Sequence, residues 1–296
     1  MKKINQSNLI LLLLACLTFV YLKNAPLVTS QILTYSKLFL EKLFPSSFLF
    51  FTMSTLLIEY NAIQKIANIF PKTAAKKYIT LMSMISGFPS GSKYTKELLD
   101  KNLISEEEAN QYIKFTHFPN PVFILGPVSS LFPTKKYSYI ILTSLMISNF
   151  IISINIKKRK SNTQKIQQTI PRTFSKVLPE AISSSLKTIL LIYGTSVFFY
   201  LIITIINHII KLPIIEYVIL NGLFDLTNGT FLTSLISNPT LRGLLIVFFF
   251  SFGGISVHMQ TKSIISDTSI QYKNFLLGRI YQTILACLLF LWITNW

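Results

Sequence analysis

The residues that could do chemistry in this chain sit at three glycine-bearing breaks in apolar sequence. The first reads Ser86-Gly87-Phe88-Pro89-Ser90-Gly91-Ser92-Lys93. Its two glycines let the backbone turn and expose N–H groups, the helix start that follows adds positive potential, and Lys93 adds a full charge. An anion is the natural ligand for such a set, with Gly87, Pro89, Ser90, Gly91 and Lys93 as candidate binding residues. The competing reading is a tight loop capped by Ser92 with an interfacial lysine. The second break, Gly222-Leu223-Phe224-Asp225-Leu226-Thr227-Asn228-Gly229, carries Asp225 beside Thr227 and Asn228. A carboxylate is costly in lipid, so Asp225 reads either as a proton carrier, as the partner of a cation, or as the cap of a short interfacial helix. The third, Ser251 to Gln260, places Ser256, His258 and Gln260 next to the paired Gly253 and Gly254. Its opposite number is Thr116-His117-Phe118-Pro119-Asn120-Pro121, where Asn120 either hydrogen-bonds a substrate or satisfies the helix ends around two prolines. No nucleophile with a base, Walker loop, paired thiol or metal-ligand spacing is legible, so no catalytic residue, cofactor or metal is expected.

The elements that must position these breaks are membrane helices. Charged residues make up 13% of the 296 positions, against about 25% in soluble chains, and the mean hydropathy is +0.51. Cys16 and Cys287 lie inside apolar runs and give no disulfide framework. Lys+Arg 28 against Asp+Glu 11 leaves a net +17. That charge falls between apolar segments, where it sets membrane orientation; it does not form a nucleic-acid face.

Residues 10–22 read as an uncleaved helix with a cytoplasmic N-terminus, and a signal-peptide core is the alternative. An amphipathic interfacial stretch over 29–43 is expected to end at Pro45, followed by an apolar run over 46–58. Residues 92–114 look like a surface hairpin, with Lys93–Glu97 and Lys96–Asp100 pairs and a Ser105–Glu108 capping box. A proline-rich span over 116–132 and a full span over 137–156 follow. The acid-free basic loop 157–176 places that end in the cytoplasm. An interfacial piece at 178–185, a span at 188–210, a short interrupted segment at 213–229 and spans at 244–257 and 275–296 complete the chain, with Trp292 and Trp296 as interfacial anchors. The expectation is an all-α polytopic membrane protein, divided into an N-terminal helix (1–28), a first repeat (29–156), the basic loop (157–176) and a second repeat (177–296). The repeats run in opposite senses, and inverted halves bring their broken segments together at a substrate site.

Four motifs in order carry a resemblance. The break at 86–93, Leu103-Ile104-Ser105-Glu106-Glu107-Glu108-Ala109, Asn120-Pro121-Val122-Phe123-Ile124-Leu125-Gly126 and Phe252-Gly253-Gly254-Ile255-Ser256-Val257-His258-Met259-Gln260 resemble sporulation integral membrane proteins of the nucleoside-recognition (Gate) domain family. The likeness runs from about residue 29 onward. It implies a multi-pass bacterial membrane protein acting in endospore formation, at the outer forespore membrane, with dipicolinate as cargo. Gly87, Pro89, Gly91 and Lys93 match its first motif, and Gly253, Gly254, Ser256, His258 and Gln260 its last. Asn120 stands where the family has a small residue, and Asp225 where it has Glu. The partners implied are a small anionic substrate, the lipid bilayer and a proton or sodium ion as coupling ion, with no nucleic acid. A nucleoside-type carrier and a non-transporting assembly factor are the alternatives.

Overall fold

Apolar runs that cannot leave backbone groups unpaired in lipid must be helical, and among the described residues every regular element is a helix. The computed structural model describes residues 6–69, 74–154 and 172–295. Most of the basic loop at 157–176 therefore lies outside the described residues. The helices are α1 (Gln6–Lys23), α2 (Ala25–Leu38), α3 (Phe44–Glu59), α4 (Ala62–Ile69), α5 (Ala74–Ser86), α6 (Ser90–Asp100), α7 (Glu106–Tyr112), α8 (Pro121–Phe123), α9 (Lys136–Ile154), α10 (Phe174–Ile209), α11 (Ile214–Phe224), α12 (Leu226–Leu232), α13 (Pro239–Phe252), α14 (Gly254–Ile264) and α15 (Tyr272–Thr294). Four helical stretches are long and apolar enough to cross a membrane: Lys136–Ile154, Phe174–Ile209, Pro239–Ile264 and Tyr272–Thr294. A fifth crossing results if the bent pair Ile10–Lys23 and Ala25–Glu41 is one span. The protein is an all-α polytopic membrane protein. Leu11, Phe19, Leu22, Leu190, Leu288 and Trp292 are exposed on these helices, as lipid-facing positions are and as those of a water-soluble surface are not.

Three expected boundaries are corrected. Pro45 does not end a helix: α2 passes into α3 through a π turn at Phe39–Leu43. Proline has no N–H to return to the preceding turn, and the wider turn absorbs that loss, with the Phe44 N–H donating to Phe39 O. The interfacial piece at 178–185 and the span at 188–210 are one 36-residue helix, α10, because Leu186, Lys187 and Thr188 contain no breaker between them. At about 1.5 Å per residue α10 is roughly 54 Å long, beyond a hydrocarbon core of about 30 Å. The segment 116–132 is not a full span. Residues 116–120 are non-helical, and the helical part, Pro121–Leu131, passes from α8 into a π turn over Ile124–Val128 around Pro127.

The expected local features of the hairpin are present. Ser105 and Glu108 form a reciprocal capping box, and Lys93–Glu97 and Lys96–Asp100 pair at 2.6 Å and 3.6 Å. Close helix packing relies on small residues. A Cβ on Gly278 would strike the backbone of Lys114, and one on Gly243 the ring of Phe290. Helix–break–helix pairs recur twice, as α5/α6 and α11/α12. Each is followed by an Asn–Pro-capped helix, Asn120–Pro121 and Asn238–Pro239, and then by a long helix, α9 and α15.

Candidate functional site

Two of the three breaks meet at a cavity of about 350 Å³, and the Gly253–Gly254 break stays outside its lining. Ser86 and Phe88 reach it from the α5–α6 break, and Leu226 and Thr227 from the α11–α12 break. Both π-turn regions border it as well, through Glu41, Leu43, Pro45 and Ser47 on one side and Val122, Phe123 and Pro127 on the other, with Asn120 and Phe250 completing the wall. Its surface is aromatic and aliphatic, with neutral hydrogen-bonding groups at Ser47, Ser86, Asn120 and Thr227. Glu41, half exposed and 4.0 Å from Lys37, is the charged group in the lining among the described residues. The volume falls in the range of small-molecule sites, roughly 300–1,000 Å³.

Of the sequence candidates, Asn120 and Thr227 line the cavity directly. Gly87 supplies the first break with a left-handed backbone at φ +77°, where a side chain would be strained. A Cβ there would also come within 2.7 Å of Asn120. Pro89 follows it, joined to Phe88 by a cis peptide. The Ser90 hydroxyl donates to Gly87 O, closing the turn. Gly91 lets α6 pack directly on Thr116, with no room for a Cβ. The Asn120 side chain accepts from the N–H groups of Val122 and Phe123 at 2.9 and 3.4 Å, so it caps its helix while facing the cavity.

Lys93 is not in the lining. It is 4% exposed, donates to Glu97 Oε1 at 2.6 Å and to Thr55 Oγ1 at 3.0 Å, and lies 5.5 Å from the Phe51 ring centroid. Its charge is already met by Glu97.

Asp225 is 1% exposed and is the single non-helical residue between α11 and α12. Its Oδ1 accepts the Asn228 N–H at 3.0 Å, and its Oδ2 accepts the hydroxyls of Tyr35 and Ser256, each at 3.2 Å. The capping role and the buried-carboxylate role are thus the same residue's. Asn228 donates its side-chain amide to Asn221 Oδ1 at 2.8 Å. Gly253 and Gly254, at φ +102° and +66°, break α13 from α14. Beyond them His258 bonds to Tyr272 (Nδ1, 2.7 Å) and Phe252 O (Nε2, 3.0 Å), while Gln260 donates to Ser196 at 3.0 Å.

Several residues were missed from sequence. Phe88 stacks on His117 at 4.5 Å and walls the cavity. Asn238 caps α13 as Asn120 caps α8, accepting from Thr240 and Leu241 at 2.9 and 3.0 Å; the repeated Asn-Pro pair was the available signal. Arg279, fully buried in α15, donates to Lys114 O at 3.0 Å, to Ser251 O at 3.4 Å and to Gln282. Partial negative charge at two helix C-terminal ends stands there in place of a carboxylate. A lone arginine inside a 23-residue apolar helix is a pointer readable from sequence.

No protein-family model and no solved structure matches the chain. It is similar, at 26% identity over 299 aligned positions that cover 83% of this chain and 72% of the relative, to the sporulation integral membrane protein YlbJ of Bacillus subtilis (strain 168), a likeness that supports kinship with the YlbJ proteins.

Proposed function

We propose that the protein is a membrane carrier for a small aromatic organic anion, dipicolinate being the cargo that fits best, and that it acts during endospore formation. The observation that carries this reading is the cavity shared by two helix–break–helix units and two π turns. Interrupted helices facing each other across one chamber are the architecture in which carriers hold their solute. The two units, read as inverted halves, give the chamber a wall from each, and rocking of one against the other would open it to either side. The rings of Phe88, Phe123 and Phe250 suit a planar ring, and Ser47, Ser86, Asn120 and Thr227 offer donors to its carboxylates. The relative's sporulation role supports the setting.

A second reading has its own support: among the described residues the lining contains no lysine or arginine, which favours an uncharged, nucleoside-type solute. Both are tested by uptake into proteoliposomes containing the purified full chain. Labelled dipicolinate accumulating above empty vesicles, with Phe88→Ala and Phe250→Ala reducing it, supports the first. Uptake of labelled uridine or adenosine without dipicolinate supports the second. Uptake of neither would leave the protein a non-transporting membrane factor.

A further inference from the structure

We propose that Asp225, Tyr35, Ser196 and Ser256 form a binding site for a monovalent cation of sodium's size; as the coupling ion of the carrier, it rests on the transport reading above. The ligand set comes from four separate elements: Tyr35 from α2, Ser196 from α10, Asp225 from the α11–α12 break and Ser256 from α14. All four are buried. Tyr35 and Ser256 each stand 3.2 Å from the same carboxylate oxygen, and Ser196 lies beside the same pair, Asp225 and Tyr35. Gln260 orients Ser196 by donating to its oxygen at 3.0 Å.

Three arguments assign this cluster to a cation. A hydroxyl that bonds a carboxylate optimally approaches to about 2.5–2.7 Å, and both hydroxyls here are well outside that. Oxygens that share a hard cation at roughly 2.3–2.6 Å, and stand at right angles around it, are about 3.2–3.7 Å apart. The observed spacing is of that second kind. Next, among the described residues no lysine, arginine or histidine forms an ion pair with Asp225, so no side-chain cation balances the carboxylate. One carboxylate with neutral hydroxyls balances one positive charge, which selects a monovalent ion over a divalent one. Finally, α11 ends at Phe224, so its last carbonyls have no intrahelical partner. Gly254 lets α14 begin directly beside them: a Cβ there would come within 3.0 Å of Gly222 O and 3.3 Å of Leu223 O. Half-helix C-terminal ends beside a carboxylate are where carriers coordinate sodium.

The consequence for the cargo is electrostatic. Leu226 and Thr227, next in sequence to Asp225, line the cavity. An ionised Asp225 would repel an anion there, and a bound cation removes that repulsion. Because Tyr35 lies on α2 and Ser196 on α10, occupancy also ties those helices to the broken segment.

The test is made on the purified full chain in detergent without cargo, so that it reads the cation site apart from transport. The melting temperature is followed against sodium, potassium and choline chloride at constant ionic strength and at several pH values. The expected result is a saturable rise with sodium that potassium and choline do not reproduce. Asp225→Asn should lose it, and Tyr35→Phe and Ser256→Ala should each shift its midpoint at least tenfold. An equal response to all three salts overturns the proposal, as does a response to pH alone, which would make the ion a proton. The wild-type titration decides even if Asp225→Asn does not fold. Sodium binding without any uptake of dipicolinate or nucleoside would remove the transport reading and leave the cation site standing. Uptake indifferent to sodium, with no sodium-dependent melting, would do the reverse.

Discussion

Replacing Glu97 by Gln strands the ammonium of Lys93 in a site where it is almost wholly removed from water. The two side chains are 5% and 16% exposed and 2.6 Å apart. At an effective dielectric of about 20 their attraction is about 6 kcal/mol, before the cost of desolvating both groups is set against it. Removing one partner of such a pair costs about 3–5 kcal/mol, because the remaining charge stays buried. Thr55, still 3.0 Å from Nζ, and the Phe51 ring place the expectation at the lower end. At about 2–3 °C per kcal/mol for a chain of this size, the melting temperature should fall by roughly 6–10 °C. Lys93→Ala should fall by a similar amount, since it strands Glu97, whose Oε2 already lacks a hydrogen-bond partner. The Lys93→Met, Glu97→Met double variant should recover most of the loss, because it leaves neither charge buried without its partner. The assay is thermal unfolding of purified protein in detergent, alongside dipicolinate uptake. The outcome that refutes the reasoning is a Lys93→Ala protein that melts like wild type but has lost uptake. That result would return Lys93 to the anion-binding role read from its sequence motif and take it out of the structural pair.

Two further expectations follow from packing and surface charge. Gly91→Ala should unfold or misassemble the protein, because its Cβ would overlap Thr116, whereas Gly194→Ala, which meets nothing within 4 Å, should stabilise α10 by about 0.4–1 kcal/mol through the unfolded chain; melting temperatures of the two variants check both. At the surface, the hydrogen bond from Lys96 at 2.6 Å holds the Asp267 carboxyl below its usual range. A carboxyl depressed in the folded state adds stability above its unfolded value, near 3.9, and loses it as pH falls through the folded value. Because the side chain is 71% exposed, the gain is within about 1 kcal/mol. Asp267→Asn should therefore melt slightly below wild type at neutral pH, with the difference shrinking as the pH falls below about 3.9.

Much of this protein was legible residue by residue because local physics decides it. Missing charge and long apolar runs require membrane helices whatever their neighbours. Gly87, Asp225 and Gly253–Gly254 mark breaks because glycine turns and buried carboxylates are incompatible with an ordinary lipid-facing helix. Ser105 and Glu108 cap α7 from within four residues. What the chain could not reveal locally depended on partners far away in sequence. Whether Lys93 faces solute or Glu97 is set by the packing of Phe51 and Thr55 against α6. That Pro45 is carried through a π turn and does not end a helix shows only in the folded backbone, where the Phe44 N–H reaches Phe39 O. The cavity wall of Phe88, Phe123 and Phe250 has no spacing that distinguishes it from core. Asp225 reads as an isolated acid until folding brings Tyr35 to it across 190 positions and Ser256 across 31. Local sequence determines where a helix must break; only the tertiary arrangement decides which breaks share a chamber, because the free energy that joins them comes from contacts between segments and not from any one segment's own propensity.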